Sequence, residues 1–132
     1  MSNELVRAIL AIIVGAHGIG HVLFLVPLLG IADWGQSASS WLLPNEGGMK
    51  VAGGVIWAVA LFGFVAAAIG IFGQLSWWRT AATIAALVSL VGLVLFWENP
   101  PTQPVVAAAI FDIVVLLALL VFKWPSASLV GP

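Results

Sequence analysis

Two histidines, His17 and His21, stand four residues apart in an apolar run with no other ionisable group between Arg7 and Asp33. Much later a lone carboxylate, Asp112, interrupts "AAIFDIVVLL". Imidazole and carboxylate together can pass protons, fix each other's tautomer or ligate a transition metal. Little else is on offer. The chain has no cysteine, which removes disulfides, dithiol redox chemistry, iron–sulfur clusters and covalent haem attachment. The P-loop, GxGxxG and GxSxG patterns are absent as well.

The elements that must position these residues follow from composition. Of 132 residues, 63% are hydrophobic and 7% charged, against about a quarter charged in soluble domains. Disordered chains are polar and poor in aromatics, so that class is excluded too. An integral membrane protein remains. A net charge of −1 leaves no basic surface for nucleic acid.

A spanning helix needs roughly 20 mostly apolar residues. Four segments qualify: Leu5–Leu29, Met49–Phe72, Trp77–Trp97 and Val105–Phe122. The first is longer than the ~7–15-residue apolar core of a signal peptide, so it is expected to be retained. Trp34 and Trp41 suit the headgroup level, as do Trp77 and Trp78 in the turn "GQLSWWR". "ENPPTQP" ends the third span and starts the fourth, because successive prolines cannot continue a helix. The expected fold is all-α: a single domain over residues 1–132, an up-down antiparallel four-helix transmembrane bundle. Small residues at four-residue spacing (Ala81, Ala85 and Ser89; Gly63 and Ala67; Ala66 and Gly70) are expected at helix contacts.

Charge sets an orientation. Arg7, Arg79 and Lys123 lie on the side of the termini with one acid, Glu4, whereas Lys50 faces Asp33, Glu46 and Glu98 on the other. Both termini are therefore expected on the cytoplasmic side of the inner membrane. Arg7, Arg79 and Lys123 read as interfacial anchors. Glu46 and Lys50 are spaced to pair across a helix turn, and Glu98 reads as a solvated helix end.

Depth brings the polar residues together. His17 stands ~18 Å and His21 ~24 Å along the helix from Leu5. In a hydrocarbon core of about 30 Å, they lie about 12 and 6 Å below the outer surface. Asp112, counted from Val105, lies about 10 Å below the same surface. Ser89 and Trp57 fall near that level. A His17–Asp112 hydrogen bond is expected, with His21 facing a polar cavity or the outer rim. Glycines 15, 18 and 20 thin the first helix beside the imidazoles, admitting another helix or a flat ligand.

Four readings of this layer stand open. His17, His21, Asp112, Ser89 and Trp57 could form a purely structural tie between helices. They could line an outer-half pocket for a small lipophile, such as a quinone, or for proton handling. His17, His21 and Asp112 could ligate a metal with one position left open. Two histidines one turn apart cannot both ligate one haem iron, so a haem would take only one of them. No substrate is identified, and an accessory or ligand-binding subunit is expected rather than an enzyme. Its partners would be the bilayer, other membrane subunits or further copies of itself.

The layout resembles the small four-helix bacterial membrane proteins of the DoxX-like type. The likeness is carried by His17-Gly18-x-x-His21, "WWR" at Trp77–Arg79, Ser89, "FW" at Phe96–Trp97, and Asp112. It implies a subunit or partner of a membrane redox system. Without cysteine, no thiol-pair chemistry could transfer. The polar layer is also similar to that of four-helix sterol isomerases, but with one buried acid their proton transfer would be incomplete.

Overall fold

The computed structural model describes all residues, Met1–Pro132. Helix α1 (Asn3–Gly20) continues after a jog into α2 (Val22–Leu28), and together they make the first span. Helix α3 (Gly47–Phe72) is the second and α4 (Trp78–Leu95) the third. Helix α5 (Gln103–Leu116) runs into a π-helical turn at Leu117–Val121 to complete the fourth. A short α6 (Ala127–Val130) follows. There are no strands, and four helices are long and apolar enough to cross a membrane. The chain is a membrane-spanning helix bundle, as composition requires.

Local signals set the helix ends. Ser2 caps α1, its hydroxyl accepting from the Leu5 amide at 3.2 Å, and Glu4 adds negative charge to the first turn. Pro104 lies in the first turn of α5, where a missing amide hydrogen leaves no helical bond unmade. That is why the fourth span begins at Gln103, ahead of the expected Val105.

Packing is organised around α3. Its buried residues are Met49, Gly53, Trp57, Ala60, Phe64, Ala67, Gly70 and Ile71, and from Gly53 they recur mostly by fours and threes. Trp78, Ala82, Ala85, Ser89 and Gly92 do the same on α4. This alternation of fours and threes is the spacing at which side chains of packed helices interdigitate. Helix α3 lies along both α1 and α4, and α5 lies along α4, whereas the backbones of α1 and α5 stay apart. The close crossings use small residues. A Cβ on Gly63 would come 2.8 Å from that of Ala85, and one on Gly18 would come 2.8 Å from Phe64 Cβ and 3.0 Å from the Leu61 carbonyl. The outward faces carry Ile12, Val51, Phe62 and Phe72, all exposed, as lipid-facing positions are.

Each end of the bundle is closed by polar contacts. At the end bearing the long first loop, Ser40 Oγ donates to the Leu95 carbonyl at 2.5 Å and Trp41 Nε1 to that of Val94 at 2.6 Å. These satisfy carbonyls that the last turn of α4 leaves free. Glu98 accepts from the Ser37 amide at 2.7 Å, so it fastens the loop instead of standing solvated. Glu46 and Lys50 form no ion pair; the one ion pair joins His17 and Asp112. At the other end Arg79 lies 4.6 Å over the Trp78 ring and donates to the Pro125 carbonyl. It holds the C-terminal segment, whose Val130 is fully buried, and so does more than anchor at an interface.

Candidate functional site

The expected pair forms. His17 Nε2 lies 2.9 Å from Asp112 Oδ1, joining α1 to α5 across a separation of 95 residues. Asp112 is completely buried, and His17 keeps a side-chain exposure of 11%. With Asp112 as a carboxylate, Nε2–H donates and the lone pair of His17 is on Nδ1. That nitrogen makes no hydrogen bond and is not among the fully enclosed polar atoms. Aromatic rings hold the imidazole in place: Phe111 stacks on it at 3.9 Å and 20°, and Phe64 meets it edge-on at 4.7 Å.

His21 does not reach the rim, being 1% exposed, but it does line a cavity beside His17. Four residues of helix turn the two side chains roughly 40° apart. His17 therefore faces α5, while His21 faces α3 and α4. The His21 Nδ1 lies 3.1 Å from the His17 carbonyl and 3.3 Å from that of Gly18. Carbonyls only accept, so Nδ1 carries the proton, and Nε2 accepts from the Ser89 hydroxyl at 2.8 Å. The same contact explains the jog in the first span. The His21 amide bonds to Gly18 O, and its ring takes the His17 carbonyl that an unbroken helix would use.

The two imidazoles meet edge-on at 4.9 Å. One donor atom from each of His17, His21 and Asp112 lies within 4.8 Å of the others. Asp112 Oδ2 is buried and has no hydrogen-bond partner, a costly condition for a carboxylate oxygen. Ser89 is fully buried behind His21. Trp57 packs at 6.0 Å from the His21 ring and stacks on Phe24 at 4.8 Å, forming a wall of the cluster.

The gap between the first and fourth spans holds two cavities. One of about 260 Å³ is lined by His17, Gly20, His21, Leu23, Ala108 and Phe111 among others. The second, about 150 Å³ and almost wholly apolar, lies between Val14, Ile71, Ala82, Val115 and Phe111. Phe111 belongs to both, so it divides the gap. Neither Ser89 nor Trp57 lines the first cavity. A Cβ on Gly20 would meet nothing within 4 Å, so that glycine leaves room in the gap, whereas Gly18 serves the α1–α3 contact. A space of this size suits a single-ring head group better than a tetrapyrrole.

Phe111 and Phe64 are the members that residue-type reasoning misses. Phe64 had a readable signal, since it lies two helical turns from Trp57 on one face. Phe111 had only its adjacency to Asp112. No protein-family model, curated protein or solved structure matches the chain.

Proposed function

We propose that this protein is a small accessory or ligand-binding subunit of the inner membrane, with both termini cytoplasmic. The gap between its first and fourth spans would receive the polar head of a small lipophile from the bilayer. His17 would exchange a proton with that head. The observation that carries this reading is the free Nδ1 of a His17 whose Nε2 is held by a buried carboxylate.

Such a dyad has a defined use. The carboxylate fixes the imidazole tautomer and offsets the charge of the imidazolium that forms when Nδ1 takes a proton. A head-group hydroxyl would donate to Nδ1 and transfer its proton there. A carbonyl, as in a quinone, would receive one from the imidazolium. Leu23, Ala108 and Phe111 supply apolar walls, and a lipophile would enter the gap from the bilayer. The reading agrees with the likeness to DoxX-like proteins as partners of membrane redox systems. The orientation rests on three basic residues against one acid on the side of the termini.

A photoactivatable quinone carrying a diazirine on a short alkyl tail tests the proposal in vesicles. Labelling should concentrate on Leu23, Ala107, Ala108 and Phe111 and be competed away by excess decylbenzoquinone. Asp112→Asn should reduce competable labelling several-fold in a chain that remains folded. Uncompeted labelling spread evenly over Val51 and Phe62 would overturn it.

A further inference from the structure

We propose that His17, His21 and Asp112 form a binding site for one divalent first-row transition ion, zinc or ferrous iron. The inference needs no lipophile in the gap and so goes beyond the reading above. Two imidazoles and one carboxylate with a position left open make a known donor set for both ions. Here the three donor atoms lie within 4.8 Å of one another, on two helices, inside the bundle.

Three independent features favour an ion over a plain helix tie. First, the unpartnered Oδ2 leaves a fully buried carboxylate with a single hydrogen bond, to His17. A tie needs one acceptor oxygen, and the second is left for a cation. Second, His21 is oriented as metal-ligating histidines are, with one ring nitrogen donating to backbone carbonyls so that the other is presented as a base. Only the Ser89 hydroxyl now occupies Nε2. Third, the two imidazoles meet edge-on at 4.9 Å, and one donor atom from each lies within 4.8 Å of the other and of Asp112.

Geometry and charge are compatible with this occupant. Donor atoms about 2.0–2.2 Å from a tetrahedral ion are separated by about 3.4 Å. His17 Nε2 and Asp112 Oδ1 are already at 2.9 Å. The three donor atoms, all within 4.8 Å, need close by no more than ~1.4 Å to reach that value. Binding moves the His17 proton from Nε2 to Nδ1, so that the imidazole ligates as a neutral base and the carboxylate is freed for the ion. The carboxylate then cancels one of the ion's two charges. An anion in the open position, such as hydroxide, cancels the other and keeps the buried site neutral.

The test uses the full chain purified in detergent, stripped with chelator and titrated anaerobically with Zn²⁺, Fe²⁺ or Co²⁺. One ion per chain is expected, with the intense visible bands of four- or five-coordinate cobalt. His21→Gln and Asp112→Asn should weaken binding by more than the ~100-fold that loss of an outer partner can cost. Asp33→Asn, in the exposed loop, should leave it unchanged. A cobalt spectrum that stays that of the six-coordinate aquo ion, or an affinity indifferent to both substitutions, overturns the site. If a variant fails to fold, X-ray absorption on the metal-loaded wild type decides: two imidazoles support the site and none overturns it. Photolabelling of the stripped protein reads the gap alone, so either proposal can fail without the other.

Discussion

Ser89 is a small residue with a specific task. It is fully buried, and its hydroxyl is the only partner of His21 Nε2. Ser89→Ala would leave that nitrogen enclosed and unpaired. Hydrogen bonds between membrane helices average ~0.6 kcal/mol and reach ~1.7. We expect a loss of about 1 kcal/mol, within that range. Reversible unfolding in mixed micelles measures it, and an unchanged stability would show that the bond contributes nothing. The partnership of His17 with Asp112 was legible in the sequence, since depth along two antiparallel helices needs only their lengths. The burial of His21 was not. Depth says nothing about rotation around the helix axis, and roughly 40° of it lets His21 reach Ser89 on α4 while His17 meets Asp112 on α5. Phe111 was hidden for another reason: in a chain this apolar, an aromatic ring beside an acid does not stand out.

At the scale of elements, the spans were readable and their contact faces were not. Lipid solvates the outer side of α3 as readily as the core solvates its inner side, so apolar residues occur all round it. The contrast that reveals a soluble helix's buried face is therefore missing. What remains is size. The buried row on α3 sets Trp57 and Phe64 among Gly53, Ala60 and Ala67, and that pattern shows only once the seam is known. Gly18 and Gly20 make the distinction testable. Gly18→Leu forces a side chain against Phe64 and the Leu61 carbonyl and should destabilise the bundle by ~1–3 kcal/mol. Gly20→Leu enters open space beside the imidazoles and should leave stability intact while lowering quinone photolabelling several-fold. Equal stability losses in both variants would remove the division of labour between these glycines.

For the whole molecule, the two ends of the bundle are built differently. One is covered by a loop tied to the last carbonyls of α4 and to Glu98, the other by a C-terminal segment held by Arg79. Because the chain has no cysteine, single introduced thiols report unambiguously on sidedness. Cysteines at Ser39 and Ser126, both exposed, should react from opposite sides of sealed cells, Ser39→Cys from outside and Ser126→Cys only after permeabilisation. Reaction of both from outside would reverse the assignment of the termini without disturbing the shared depth of His17 and Asp112.

The long separation between those two residues has a consequence for how the protein is made. His17 lies in the first of the four spans, and Asp112 is synthesised 95 residues later, in the fourth. Until then α1 can dock on α3 through Gly18, but its imidazole faces a groove that nothing has filled. Without α5 the imidazole face of α1 therefore stands bare to lipid. Delivery of α5 hides that face and assembles the His–His–Asp cluster in one event.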